Sequence, residues 1–334
     1  MNRPHVCVAV ARAEFDLLFC PEAQRDMHDL AVVGFGTGPH GSTLPHGVAD
    51  SCDAVVTSWS TVPFQPQQLR GGRLALAAHS AGSVRRLYPR ELLDQGLRLT
   101  QGGAAAMAPA VAEMALTLTL ALLRNLHHHD RALWTGKDWA NARRPELGQA
   151  LSERRVGLVG LSRTGSWYAR MVNALGTTVV RAYDPYADPK AAAALGVEMT
   201  GLDELFAGCD VIAVHAPATP ETHHLVGGQQ LGMLPDGAVL VNTARSWVVD
   251  QEALLSEVVS GRLRAGLDVF DSEPLPSSSP FFGLPNVIVT PHVAGGTLEA
   301  RRAQGRTVVE ELRRFFDGEP LVHEVLPASY DLLA

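Results

Sequence analysis

Three side chains in the second half of the sequence have the types needed for redox chemistry on a small carbonyl acid. Arg245 ends the apolar run Gly237-Ala-Val-Leu-Val-Asn-Thr-Ala-Arg245, Glu273 follows Ala265-Gly-Leu-Asp-Val-Phe270, and His292 ends Val287-Ile-Val-Thr-Pro-His292. Reduction of a ketone needs a proton donor beside the carbonyl oxygen, and imidazole is the side chain suited to that near neutral pH. A carboxylate next to the ring favours the imidazolium and fixes its orientation, a part Glu273 can play. A guanidinium holds a substrate carboxylate through two parallel hydrogen bonds, and Arg245 can do this while polarising the carbonyl. Each residue also has an ordinary reading: a His after proline as a structural residue, a Glu before Pro274 as a solvated loop acid, an Arg at a strand end as half of a surface pair. Spacing alone leaves both readings open.

A hydride carrier would need its own site, and the stretch from Val156 to Asp184 has the layout for one. It reads as a buried strand (Val156 to Leu161), a glycine-bearing turn, a helix (roughly Ser166 to Leu175) and a second strand closed by an acid. Gly160 lets the chain turn sharply, Gly165 lets the helix lie close to the sheet, and the free N–H groups of the helix start face a pyrophosphate. Asp184 follows Gly165 by nineteen positions, where a carboxylate accepts hydrogen bonds from a ribose diol and repels a 2′-phosphate, so NAD is favoured over NADP. The middle glycine of this fingerprint is replaced by Ser162. Its hydroxyl can donate to a phosphate oxygen, or its Cβ can push the cofactor outward; the sequence leaves both open.

The elements that must carry these groups alternate. From Val156 onward strands and helices follow one another strictly, with Cys209 to Pro217 a further buried strand that delivers His215. Polar residues at the tips of successive parallel strands occupy the end where open α/β sheets bind ligands. The first hundred residues hold shorter strand candidates, His5 to Val10, Leu30 to Phe35, Asp53 to Trp59, Leu74 to Ala78 and Leu97 to Thr100, with helices at Glu22 to Asp29 and Pro89 to Gln95. A smaller parallel sheet is expected there. Gly34-Phe-Gly-Thr-Gly38 is read as a surface loop, because the prolines and glycines after it prevent a helix from starting. A long helix is expected from Pro109 to about His128, an irregular arm from Trp134 to Leu147, and a last helix from Leu298 to Phe316.

With 334 residues, 46% hydrophobic and 19% charged, the chain has room for two domains with cores of their own. A net charge of −7 gives no electrostatic footprint for nucleic acid or for an anionic membrane. The apolar run Ala104 to Leu123 imitates a membrane span but contains Pro109 and Glu113, so a buried helix at a domain or subunit junction is expected instead. Cys7, Cys20, Cys52 and Cys209 lack metal spacing and suit reduced thiols of a cytoplasmic protein, and the N-terminus has no signal-peptide core. Adjacent His127, His128 and His129 point in different directions around a helix end, so no metal site is expected.

From about Leu74 to Phe316 the sequence resembles the D-isomer-specific 2-hydroxyacid dehydrogenases. The matching pieces are Val111-Ala-Glu113, Gly160-Leu-Ser-Arg-Thr-Gly165, His215-Ala-Pro-Ala-Thr-Pro-Glu-Thr222, Asn242-Thr-Ala-Arg245, Leu267-Asp-Val-Phe270 with Glu273-Pro-Leu275, and Thr290-Pro-His-Val-Ala294. The resemblance implies a Rossmann doubly wound parallel sheet domain over 104–296 that binds NAD, and a smaller flavodoxin-like α/β substrate domain built from 1–103 and 297–334. It implies that Arg245 binds the substrate carboxylate and that His292, with its proton affinity raised by Glu273, exchanges the proton. The coenzyme would meet Gly160, Ser162, Arg163, Thr164, Gly165, Asp184, His215, Pro217, Thr222, Arg245, His292, Ala294 and Gly295, with Thr243, Ala244 and Asp268 near the nicotinamide. Ala81, Gly82 and Ser83 fall where the family holds the substrate carboxylate on main-chain N–H groups. Arg85-Arg86 stand where an acid is usual, and Ser246 replaces a glycine after Arg245; the basic pair is read as a solvated surface pair or a contact to a second anionic group. A homodimer joined through the long helix is implied. The expected activity is hydride transfer between nicotinamide and C2 of a small D-2-hydroxy or 2-oxo acid; an NAD-responsive corepressor-type protein and a phosphite-type dehydrogenase are the alternatives.

Overall fold

The computed structural model describes residues 3–143 and 147–332. The chain divides into two compact units, Met1–Met107 with Gly296–Ala334, and Ala108–Gly295.

In the first unit five short strands, β1 (His5–Ala9), β2 (Val32–Phe35), β3 (Ala54–Thr57), β4 (Leu76–His79) and β5 (Arg98–Gln101), form a sheet in the order β2-β1-β3-β4-β5. Every pairing is parallel, the flavodoxin-like order. Parallel sheets need cover on both faces, and β1 shows this directly. Val6 and Val8 face a core with Phe15, Leu18, Met27, Val308 and Leu312. Cys7 and Ala9 face the opposite core with Tyr88, Leu92 and Leu99. The first core is completed by the last long helix, Leu298–Phe316, which starts at the Thr297 cap and buries Gln304, Gly305, Val308, Val309 and Leu312 along one stripe. The two chain ends therefore share one core.

The second unit is a seven-stranded parallel sheet: β6 (Arg155–Val159), β7 (Val179–Tyr183), β8 (Glu198–Met199), β9 (Val211–Val214), β10 (Val239–Asn242), β11 (Arg264–Leu267) and β12 (Val287–Val289). Its order is β12-β11-β10-β9-β6-β7-β8. The chain winds outward from β6 in one direction, then restarts at β9 beside it in the other, so the doubly wound switch point lies between β6 and β9.

Three expected elements differ. The long helix runs Gly102–Leu123 rather than Pro109 to His128. It starts directly after β5, so Pro109 lies inside it, and it ends because Asn125 takes a left-handed φ of 51°. By length and composition this helix could cross a membrane, yet 44% of its most apolar window is buried within the protein. The supposed irregular arm begins as a helix, Leu126–Gly136, followed by a short turn of helix at Trp139–Ala142; residues 144–146 lie outside the described residues. The helix after the glycine turn begins at Arg163, three residues before the expected start, because Ser162 caps it.

Gly305 sits where the last helix crosses the first one: a Cβ there would lie 2.0 Å from the carbonyl oxygen of Leu18. Backbone cannot yield by that much locally, so Gly305→Ala should force the helices apart and cost about 3 kcal/mol, at the upper end of overpacking penalties. Urea unfolding of the variant should show a lowered midpoint, and an unchanged midpoint would contradict this packing.

Candidate active site

The polar tips of β10, β11 and β12 are neighbours at one edge of the seven-stranded sheet, and the buried acid Asp268 organises them. It stands just after β11 with no exposed surface. Its Oδ1 accepts from Thr290 Oγ1 at 2.5 Å and Val293 N at 2.9 Å, and its Oδ2 accepts from Ala294 N at 2.9 Å. Its carbonyl takes the His292 N–H at 2.9 Å, and its own N–H goes to the Asn242 carbonyl at 3.0 Å. Asp268 is among the residues expected close to the nicotinamide, and its carboxylate is engaged by the segment that carries His292. His292 has a left-handed φ of 53°, a conformation costly for a residue with a Cβ.

Held this way, His292 donates or shares its Nδ1 proton with Glu273 Oε2 at 2.7 Å. The other Glu273 oxygen accepts from Phe270 N at 3.0 Å. With Nδ1 on the carboxylate, Nε2 is the ring nitrogen left to exchange a proton with another molecule. The His292 side chain is 50% exposed and that of Glu273 36%, so the pair is open to solvent on one side.

Arg245 follows β10. Asn242 fixes its main chain by donating to the Arg245 carbonyl at 2.9 Å and accepting from Ala244 N at 3.0 Å. The guanidinium donates to the Ala244 carbonyl at 2.7 Å, and among the described residues no carboxylate forms an ion pair with it. Burial pulls its pKa below the ordinary value, opposed by the charge of Glu273. Arginine stays charged under such a shift, so a largely dehydrated cation is available for an anion.

The glycine turn lies at the switch point. Gly160 has φ of 95°, and a Cβ there would lie 2.7 Å from Ala216 N; one on Gly165 would lie 2.4 Å from the Gly160 carbonyl oxygen. Ser162 Oγ donates to the His215 carbonyl at 3.0 Å and accepts from Gly165 N at 3.4 Å. The hydroxyl is therefore committed to the protein. The first intrahelical bond is Ser166 N to Ser162 O at 2.8 Å, so the N–H groups of Arg163 and Thr164 belong to the orphan set at the helix start. Asp184 closes β7 and accepts from Leu161 N at 2.8 Å and Tyr186 N at 2.9 Å, which leaves further lone pairs on each oxygen. Thr222 Oγ1 donates to the Pro217 carbonyl at 2.7 Å and closes the loop after β9.

These residues fit a dinucleotide. A close-packed glycine turn, a capped helix with outward N–H groups and an acid at the end of the second strand are the parts that a pyrophosphate and a ribose require. Thr243 Oγ1 and both ring nitrogens of His215 are buried without a hydrogen-bond partner among the described residues.

One contributor was missed in the sequence. Trp247, two residues after Arg245, donates from its indole N–H to the Thr219 carbonyl at 2.7 Å, and its ring lies 4.0 Å from that of His223. It ties the loop after β9 to the segment carrying Arg245, and nothing in its spacing marked it.

In the first unit the loop Ala81-Gly82-Ser83 follows β4. His79 lies beneath it, bonded through Nε2 to the Ser83 carbonyl at 3.0 Å and through Nδ1 to Thr57 Oγ1 at 2.9 Å. Gln101 donates to the Gly82 carbonyl. Arg85 and Arg86 are exposed.

Residues 116–294 match the family model described as D-isomer specific 2-hydroxyacid dehydrogenase, NAD binding domain. The chain belongs to this family. It is 34% identical over 272 residues to a glyoxylate reductase of Korarchaeum cryptofilum, covering 80% of this chain and 81% of that one. It is 41% identical over 211 residues to D-3-phosphoglycerate dehydrogenase of Mycobacterium bovis, covering 63% of this chain; the match spans only 39% of that longer relative. Among solved structures the fold is shared with D-mandelate dehydrogenase of Rhodotorula graminis at a TM-score of 0.83 and 24% identity, covering 97% of this chain and 98% of that one. The cofactor of the matched domain is NAD.

Two buried histidines make stability depend on pH. Burial lowers His79 from the ordinary 6.5 to about 4 and His215 to about 3. Between those values and 6.5 the unfolded chain binds protons that the folded chain refuses. Stability is therefore full above about pH 6.5 and falls as the pH drops toward 4 and then 3, by up to about 1.4 kcal/mol per pH unit for each group. Urea midpoints measured from pH 7.5 to 5 should decline, and His79→Gln should make the decline shallower. An equal slope in that variant would contradict the assignment.

Proposed function

We propose that this protein is an NAD-dependent oxidoreductase that moves hydride between nicotinamide C4 and C2 of a small D-2-hydroxy or 2-oxo acid. The observation that carries the reading is the His292 Nδ1–Glu273 Oε2 bond of 2.7 Å on a segment fixed by a buried acid. NAD, when bound, supplies the hydride acceptor or donor. Gly160, Ser162, Arg163, Thr164 and Gly165 would hold its pyrophosphate and Asp184 a ribose diol, and His215, Pro217, Thr222, Thr243, Ala244, Ala294 and Gly295 would line the rest.

In the reductive direction His292 delivers a proton from Nε2 to the oxygen on C2, and Glu273 stabilises the imidazolium through Nδ1. In the oxidative direction the same nitrogen takes the proton back. Arg245 pairs with the substrate carboxylate, replacing water around its guanidinium with two charge-assisted bonds. Main-chain N–H groups of Ala81, Gly82 and Ser83 are proposed as further donors to that carboxylate. Reduction of glyoxylate is ascribed by name to one relative, and a small 2-oxo acid is the substrate class proposed here.

On the same reading the protein is a cytoplasmic homodimer. The half-covered helix Gly102–Leu123 supports this, as do Trp134, Trp139 and Leu147 at 77%, 69% and 93% exposure in the segment after it. Such a concentration of exposed large apolar groups is characteristic of a subunit interface. Four free cysteines suit a reducing compartment.

NADH consumption with glyoxylate, hydroxypyruvate, pyruvate and bulkier 2-oxo acids tests the activity. His292→Ala should lower kcat by about a thousandfold, within the range for a lost general acid, while NADH affinity stays within about threefold. Near-native turnover in that variant would refute the proton-donor role. Asp184→Ala should relax the preference for NADH over NADPH by at least about tenfold, because the ribose acceptor and the repulsion of a 2′-phosphate disappear together.

A further inference from the structure

Two loops of the second unit are zipped together side by side. The loop after β9 carries Pro217 and Thr222, proposed for the coenzyme, and the segment after β10 carries Arg245, proposed for the substrate carboxylate. His224 N donates to the Trp247 carbonyl at 2.9 Å, Val226 N to the Val248 carbonyl at 3.0 Å, and Asp250 N to the Val226 carbonyl at 2.9 Å. Val226 and Val249 form a parallel bridge, and both are buried, so this end of the zipper is anchored in the core. The end toward the strand tips is held by one side chain. Trp247 reaches across and donates from Nε1 to the Thr219 carbonyl at 2.7 Å, the one side-chain hydrogen bond between the two segments among the described residues.

Both ends of that bond are stiff. Thr219 N donates to Thr222 Oγ1 at 2.9 Å, and Thr222 Oγ1 donates to the Pro217 carbonyl at 2.7 Å, so Thr219 cannot shift without the two residues proposed for the coenzyme. On the other side only Ser246 separates Trp247 from Arg245, and its Cβ leaves the backbone fewer states than a glycine would have. The Arg245 carbonyl is held in turn by the Asn242 amide. The His223 ring lies 4.0 Å from that of Trp247 and 4.0 Å from that of His224, which takes a left-handed φ of 49°. His223 and His224 are exposed and Trp247 is 44% exposed. The clasp thus lies on the surface, outside the core that anchors the other end, where contacts made by the loop can tighten or loosen it.

We propose that Trp247 is a positioning residue that couples occupancy of the coenzyme loop to the placement of Arg245. With the loop after β9 occupied, Thr219 is fixed, the indole is held through its N–H, and Arg245 is set to receive an anion. The coupling is reciprocal, so an anion on Arg245 tightens NADH by the same factor. This rests on the oxidoreductase reading and says how two parts of its site in one unit communicate.

Calorimetric titration with NADH, without oxalate and with oxalate saturating, measures the coupling; oxalate serves as an unreactive carboxylate for Arg245. NADH should bind the wild-type protein at least about tenfold more tightly with oxalate present, an ordinary size for coupling between sites. Trp247→Ala should cut that factor about fivefold, the fold-change of one net hydrogen bond. Trp247→Phe keeps a ring against His223 but loses the N–H, and its factor should fall between the two; it decides the matter if Trp247→Ala does not fold. A merely structural role would lower the urea midpoint and weaken both ligands while leaving the factor unchanged. An unchanged factor in both variants, or no effect of oxalate in the wild-type protein, therefore overturns the proposal, while NADH binding and turnover of a 2-oxo acid keep the dehydrogenase reading intact. Failure of the wild-type protein to bind NADH ends both. In steady state Trp247→Ala should raise KM for glyoxylate and leave kcat within about threefold; a fall in kcat with KM unmoved would contradict the coupling.

Discussion

A buried carboxylate on which three strands depend fixes the chemistry of the second unit. Among the described residues Asp268 has no ion-pair partner; its carboxylate is met by one hydroxyl and two main-chain N–H groups. An isolated ion in such a place would cost many kcal/mol, and only a full set of donors makes it tenable. The donors come from one short segment, residues 290–294, so satisfying the charge and shaping that segment are the same event. His292 sits in the middle of it, in a left-handed conformation that costs about 1–3 kcal/mol on its own. From that conformation the ring meets Glu273 Oε2 at 2.7 Å.

The coenzyme end follows the same pattern. The turn after β6 and the loop after β9 are joined where their backbones nearly touch, at Gly160 and Ala216, and again by the Ser162 hydroxyl on the His215 carbonyl. Asp184 reaches across from β7 to Leu161. Trp247 links the loop after β9 to the segment after β10. Strand tips that would otherwise move independently are cross-tied by these side chains, and Asp184 keeps lone pairs to spare. Preorganisation of that kind lets a polar site act without rearranging at the moment of reaction.

Much of this was legible in the sequence because buried parallel strands are nearly continuous apolar runs, and the residue that ends each run is placed by the run itself. Arg245, His215 and His292 could be located that way to within a few positions. The helix starts were harder. Gly102 opens a helix immediately after β5, where two glycines and an alanine run would normally signal a loop, and farther along the same helix Ala112, Ala115, Leu118 and Leu122 are buried in the core of the second unit. Ser162 was read as a departure from a glycine fingerprint with its effect left open; serine is a preferred N-cap, and the local rule accounts for the residue. The two-residue strand β8 left no periodicity to find. Trp247 acts through contacts with residues distant in sequence, which no local pattern encodes.

The arginines divide by what neutralises them. Arg98 is paired with Glu324 at 2.6 Å, Arg155 with Asp210 at 2.7 Å and Arg262 with Glu257 at 2.6 Å. Arg264, partly buried, spreads its donors over the carbonyls of Gly237 and Leu122 and the Gln149 amide. Those side chains are satisfied by the fold itself. Arg245 is largely withdrawn from water, its pKa is lowered by burial, and among the described residues only its Nη1 has an acceptor. A protein that can place an acid beside Arg98, Arg155 and Arg262 could do so here as well. On the proposed reading, withholding it keeps the cation's field directed at a substrate carboxylate, and the stability given up in the empty state returns as binding energy only for molecules that carry the right charge. Specificity built this way needs no shape change, because a neutral competitor leaves a dehydrated guanidinium unpaired and is rejected for that reason.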